Sequence, residues 1–276
     1  MTNLSTRRRH PLAGLLVVLL GLVLAGSVYS AFRPAVAADS SSDTDMVSAG
    51  RKLFVVGCAS CHGLNGEGIV TKSATNYGPS LVGVGAAAVD FQMGTGRMPL
   101  ARPGRQAIPH HVNFTDEEIS QIAAYVASLG PGPAIPSDEE SDVSNVDTAG
   151  IVNGGDFFKT NCTACHNFAA EGGALPFGGY APPLLDTSTR HIIEAMVTGP
   201  GQMPVFDDAV ITPEQKRNIA AYIAMLKTQT KYGGSTLGSR GPVTEGLYGW
   251  LVGIGACVAG AVWIGNQGVR AGKKRP

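Results

Sequence analysis

Cys58-Ala59-Ser60-Cys61-His62 and, further along, Cys162-Thr163-Ala164-Cys165-His166 decide how this chain reads. Each is C-x-x-C-H, the pattern on which a c-type haem is fixed by two thioethers, with the following histidine beneath the iron. One copy arises easily by chance. Two carry more, because each is followed at nearly the same distance by Met-Pro: Met98 lies 36 residues after His62 and Met203 lies 37 after His166. Imidazole on one face of an iron and a thioether on the other is the ligation of a site that passes single electrons. The rival readings of the CxxC pairs are a zinc site and a redox disulfide. Zinc would need both motifs to meet, and a redox pair has no use for the same histidine twice. The expectation is two covalently attached haem c groups. Cys58, Cys61, Cys162 and Cys165 would hold the porphyrins, and His62 with Met98 and His166 with Met203 would be the axial pairs. Met93 is the rival of Met98, which is preferred because Gly-x-Met-Pro recurs at Met203. Met93 and Met196 read as packing.

The 276 residues suffice for two domains of about 100 residues each. Basic and acidic residues balance at 21 each, so no basic bias points to nucleic acid. Four of the five cysteines lie inside the motifs, which leaves none for a disulfide framework. Both ends are apolar. Residues 12–32 follow Arg7, Arg8 and Arg9, and residues 247–264 precede Arg270, Lys273, Lys274 and Arg275. About 20 apolar residues span a bilayer, and basic flanks stay in the cytoplasm. The stretch between them is then extracytoplasmic. Ala35-Val36-Ala37 gives the first segment a second reading, a cleaved signal peptide. The protein is thus expected in the cell membrane, crossing it once or twice according to that cleavage.

The middle of the chain is a tandem repeat. Tyr77-Gly78-Pro79 answers Tyr180-Ala181-Pro182, and Gly96-Arg97-Met98-Pro99 answers Gly201-Gln202-Met203-Pro204. Thr115 with Glu118, and Thr212 with Gln215, each predict a capping box opening a helix. The fold expected is mainly α. An N-terminal transmembrane or signal segment covers 1–38, a first domain 46–129 and a linker 130–147. A second domain follows over 148–228, then a neck over 229–245, a transmembrane helix over 246–266 and a basic cytoplasmic tail over 267–276. His110 and His111 fall in an insertion that the second repeat lacks and read as an exposed loop. His191 reads as a partly buried helix residue, and the acidic run Asp138-Glu139-Glu140 as a solvated linker.

Over about 47–129 and 148–227 these residues resemble the class I cytochrome c fold, twice over. The resemblance implies that a glycine and an aromatic on the first helix of each domain cross its last helix. Gly50 and Phe54 would face Ile122 and Tyr125; Gly154 and Phe158 would face Ile219 and Tyr222. It also implies that the carbonyls of Pro79 and Pro182 accept a hydrogen bond from the proximal histidines. The whole layout resembles the dihaem cytochrome c subunit of the actinobacterial cytochrome bc complex, a menaquinol:cytochrome c reductase and translocase. Implied partners are a cytochrome b subunit, the Rieske iron–sulfur subunit and a haem–copper cytochrome c oxidase. The implied role is to carry electrons from the Rieske protein to the oxidase, with no substrate chemistry of its own. A dihaem carrier for another oxidase or dehydrogenase shares every motif. A dihaem peroxidase would need an open iron, against which both Met-Pro loops argue.

Overall fold

The computed structural model describes residues 11–31, 40–70, 76–101, 104, 106–229, 237 and 242–272. The basic start, the Ala35-Val36-Ala37 stretch, most of the neck and the last four residues lie outside them. The N-terminal unit holds one apolar helix, α1 (Pro11–Ala31).

The rest forms a second compact unit containing both repeats. The first repeat runs α2 (Ser40–Gly57), α3 (Ala59–His62), β1 (Ile69–Val70), β2 (Asn76–Gly78), α4 (Gly85–Gly94) and α5 (Asp116–Ala127). A short α6 (Asp138–Ser141) follows. The second repeat runs α7 (Thr148–Asn161), α8 (Thr163–His166), β3 (Gly173–Ala174), a 3-10 turn (Pro176–Gly178), β4 (Tyr180–Ala181), α9 (Thr189–Thr198) and α10 (Pro213–Thr228). Each repeat has one antiparallel two-stranded ribbon, β1 with β2 and β3 with β4. The architecture is mainly α, as expected.

Both last helices start where the sequence says they should. Thr115 accepts from the Glu118 N–H and its own N–H donates to the Glu118 carboxylate at 2.8 Å. Thr212 and Gln215 repeat the exchange, the Thr212 N–H donating at 2.9 Å, with Pro213 opening α10. These reciprocal bonds satisfy donors that a helix start leaves orphaned.

In each repeat the first helix crosses the last through a glycine. A Cβ on Gly50 would lie 1.8 Å from the Gln121 carbonyl oxygen, and one on Gly154 would lie 2.0 Å from that of Asn218. Only a missing side chain lets the backbones approach this closely. Phe54 and Phe158, both fully buried, stack at a tilt on Tyr125 and Tyr222 with ring centroids 5.1 and 5.6 Å apart. One core gathers Phe54, Ile119, Ile122 and Val126; the other gathers Phe158, Ile211, Ile219 and Ile223.

The linker is held at both ends. Pro133 accepts from the Ala87 N–H at 3.1 Å, and Ile135 packs on the first core. Ser137 then caps α6 with a capping box of its own, and Val143 packs on the second core. The acidic run is the first turn of α6, where carboxylates favour the positive end of the helix dipole.

A continuous helix closes the chain: α11 (Pro242–Gly249), a π turn over Trp250–Ile254, and α12 (Gly255–Gly272). Within it, the 25 residues Thr244–Gly268 contain an unburied 18-residue window of mean hydropathy 1.8, enough to cross a membrane by length and composition.

Candidate haem centres

The two C-x-x-C-H motifs adopt one local structure. Cys58 follows α2 directly, its N–H donating to Phe54 at 2.8 Å, and Cys162 follows α7 with its N–H on Phe158 at 2.9 Å. The chain then winds one helical turn, α3 or α8. This returns the histidine N–H to the carbonyl of the first cysteine, at 3.0 Å for His62 and 2.8 Å for His166. No disulfide joins the described cysteines. Burial, and then the neighbouring motif cysteine, pushes the thiols of Cys58 and Cys162 up to about 11.

After each histidine the chain reverses. Gly63 (φ 82) does this in the first repeat and Asn167 (φ 65) in the second, asparagine tolerating the left-handed region better than most residues. The N–H of Gly68 then donates to the His62 carbonyl at 2.7 Å, and that of Gly172 to the His166 carbonyl at 2.9 Å. Both glycines have positive φ, and a Cβ on them would lie 2.6 Å from Ser80 N and 2.2 Å from the Ala181 oxygen respectively. Leu81 N–H to Gly66 and Leu184 N–H to Ala170, at 2.7 and 2.8 Å, pin the returning strand. The result is a carbonyl set against each imidazole. His62 Nδ1 donates to Pro79 O at 2.8 Å, and His166 Nδ1 donates to Pro182 O at 3.0 Å. With Nδ1 as donor, Nε2 carries the free lone pair of each ring. Burial lowers the pKa of His166, against the opposing effect of the Pro182 bond, and so favours the neutral ring a metal requires.

The predicted methionines lie on the same cores as the first cysteine of each motif. Met98 and Cys58 pack on the first core, Met203 and Cys162 on the second. Met93 and Met196, read as packing, are 4% and 3% exposed within those cores.

In the second repeat Cys162, Cys165, His166 and Met203 line one cavity of about 660 Å³, walled by Phe158, Ile192, Met196, Ile219 and Ile223. That volume lies within the roughly 300–1,000 Å³ typical of cofactor sites. An apolar cavity bearing two thiols, an oriented imidazole and a thioether fits a covalently held haem.

One wall was not foreseen. Leu100, Ala107, Ile108, Pro109 and His110, from the insertion of the first repeat, line the second repeat's cavity. Gln106 secures this reach. Its amide donates to Tyr180 O at 2.7 Å and its carbonyl accepts from the Tyr180 N–H at 3.0 Å. His110 is half-buried, with Nε2 2.7 Å from Pro99 O, while His111 is exposed. The insertion is therefore a cover for the neighbouring domain, at His110, rather than a free loop. Its apolar residues Leu100, Ala107 and Ile108 were the available signal. His191 is half-buried as expected, but it stands edge-on to Phe91 of the other repeat, 6.2 Å between ring centres.

Comparison with known proteins agrees with the repeat. The cytochrome c family model matches residues 47–130, and the model described as cytochrome c oxidase, cbb3-type, subunit III matches residues 149–223. The chain thus carries two cytochrome c domains, a type that binds haem c covalently. It is similar to the cytochrome bc1 complex cytochrome c subunit of Corynebacterium diphtheriae, 38% identical over 97% of this chain and 100% of that one. The subunit of the same description from Corynebacterium efficiens is 38% identical over 94% and 90% of the two chains. That from Mycobacterium tuberculosis is 38% identical over 95% and 93%. With identity at this level along nearly its whole length, this chain belongs to the family of cytochrome bc1 complex cytochrome c subunits.

Proposed function

We propose that this chain is a membrane-anchored dihaem electron carrier built into a cytochrome bc1 complex. In this reading it takes electrons from a Rieske iron–sulfur subunit and delivers them to a haem–copper oxidase. A cytochrome b subunit completes the quinol-oxidising translocase, and this chain adds no substrate chemistry. Bound haem c would supply reversible one-electron chemistry. Cys58 and Cys61 would hold one haem, with His62 and Met98 as axial ligands; Cys162, Cys165, His166 and Met203 would hold the other. The observation that carries the reading is the imidazole–carbonyl bond made twice, His62 to Pro79 and His166 to Pro182, beside each CxxC turn. Such a bond fixes the ring and strengthens it as a ligand. A thioether from Met98 or Met203 would favour the reduced state and raise the potential. Apolar walls, including the cover reaching over from the first repeat, keep water from the second site.

The C-terminal helix would anchor the chain, with its basic end in the cytoplasm and both domains outside. The name shared by the relatives supports membership of a bc1 complex.

The test is affinity purification from membranes in mild detergent through a C-terminal tag, followed by a reduced-minus-oxidised spectrum. Haem b and haem a bands appearing with haem c, and quinol-dependent oxygen uptake, are expected. Haem c alone, under conditions that preserve other respiratory complexes, would replace this reading with a free-standing membrane-anchored carrier.

A further inference from the structure

The two domains meet through α4 and α9, and three metal-ligating side chains converge there: Asp90 from α4, His191 and Glu194 from α9. Their donor atoms all lie within 4.8 Å of one another. His191 Nε2 is 3.8 Å from Asp90 Oδ2 and 3.9 Å from Glu194 Oε2. Glu194 is 0% exposed and Asp90 7%. Among the described residues, no backbone N–H and no Ser, Thr, Asn or Lys donor reaches either carboxylate oxygen of Glu194, and His191 Nε2 has no hydrogen-bond partner; Glu194 and Asp90 face one another and share a hydrogen bond. So many buried polar atoms with so few donors are costly, and native structures rarely leave them so.

A carboxyl–carboxylate bond between Glu194 and Asp90 covers one oxygen of each and leaves the second Glu194 oxygen and His191 Nε2 without a partner. Arg190 Nε approaches Asp90 Oδ2 at 3.3 Å without a hydrogen bond, and its side chain is 43% exposed. Gly94 of α4 packs closely on the same ring: a Cβ there would lie 2.9 Å from His191 Nε2, so the position admits no larger side chain without a shift.

We propose that Asp90, His191 and Glu194 bind a divalent transition-metal cation of the zinc type, which clamps the two cytochrome domains together. With two donor separations of 3.8 and 3.9 Å and the third within 4.8 Å, an ion equidistant from the three would sit no more than about 2.5 Å from each, against about 2.0–2.2 Å for zinc, so closure takes at most a few tenths of an ångström. With its proton gone, the Glu194 carboxylate can bind through two atoms and complete four-coordination. One imidazole among carboxylates selects a first-row transition metal over calcium or magnesium, which prefer all-oxygen shells.

The protonation states agree. Burial lowers the pKa of His191, with Asp90 and Asp116 acting against it and Arg190 and Arg97 with it, so the ring is a neutral ligand. Burial, then the hydrogen bond to Asp90 and its charge, push the Glu194 carboxyl up to about 9, which Arg190 partly offsets.

The experiment uses the haem-loaded full chain in detergent, stripped with EDTA, then dialysed against zinc and measured for zinc per haem iron. Saturable uptake of one zinc per chain is expected. Glu194→Gln and Asp90→Asn, each checked for an unchanged haem spectrum, should weaken it at least about 10-fold. Zinc should raise the melting midpoint of the unmodified chain and leave that of Glu194→Gln unmoved. Absence of saturable uptake by the unmodified chain at free zinc up to about 100 μM overturns the proposal. Uptake indifferent to both substitutions overturns it too, by placing the zinc elsewhere. Either result leaves the respiratory role untouched.

Discussion

Replacing Gly154 with alanine sets two effects against each other. Alanine favours a helix over glycine by about 1 kcal/mol. The added Cβ, however, would lie 2.0 Å from the Asn218 carbonyl oxygen and 2.7 Å from the Ile219 nitrogen. Both are backbone atoms of α10, so no flexible side chain can swing aside. Reaching even a 3.0 Å approach requires α7 and α10 to separate by about 1 Å. Such a gap forfeits a quarter to a half of the dispersion energy of contacts along the crossing, the Phe158–Tyr222 pair included. Overpacking of this kind costs about 1–3 kcal/mol, and a backbone-to-backbone clash belongs at or above the top of that range. After the propensity gain the net loss is about 2 kcal/mol, a fall in melting midpoint of about 4–8 °C for a body of this size. The assay is thermal unfolding of the haem-loaded chain, followed by far-ultraviolet circular dichroism and by the haem absorption. Gly249→Ala is the control, since nothing lies within 4 Å of the added atom. A Gly154→Ala midpoint equal to or above the unmodified chain would refute the account of how these helices cross.

Met98→Leu or Met203→Leu should leave haem covalently attached but lower the reduction potential of that domain alone; a redox titration unchanged for both variants would reject the axial assignment. Gln106→Leu removes both bonds to Tyr180, each worth about 1 kcal/mol, and should loosen the cover over the second cavity. Unchanged protease resistance of residues 99–114 would count against that. Glu194 gives a pH signature in the presence of EDTA. Its carboxyl is raised to about 9 from the ordinary 4.5, so the native state holds the extra proton between those values. Its contribution to stability is intact below about 4.5 and is lost as pH rises toward 9, by at most about 1.4 kcal/mol per unit. The melting midpoint should therefore fall less between pH 5 and 8 in Glu194→Gln, and parallel curves would contradict the assignment.

What was legible in the sequence was local or carried by side-chain chemistry. The C-x-x-C-H turns, the capping boxes at Thr115 and Thr212, and the glycine–aromatic pairs at Gly50/Phe54 and Gly154/Phe158 each leave a mark within a few residues. What was not legible joins distant residues. Gln106 reaches Tyr180 across 74 positions, and Asp90 meets Arg190 across 100 positions. Neither pairing has a period or spacing to betray it. The connector over 130–147 has the proline, serine and acidic content of a solvated tether, and composition alone could not show that Ile135 and Val143 anchor it in opposite cores.

That anchored connector acts as a ruler. A flexible tether tolerates added or lost residues, because closing a longer loop costs little. Here, with seven residues between Ile135 and Val143, one residue more or fewer must displace an anchor or buckle the span, by up to about 3.5 Å. Under the proposed dihaem reading, tunnelling between the two redox groups would fall steeply with separation, and the length of this short stretch of chain would set its rate. It follows that drift in this segment should be seen in its letters far more readily than in its length.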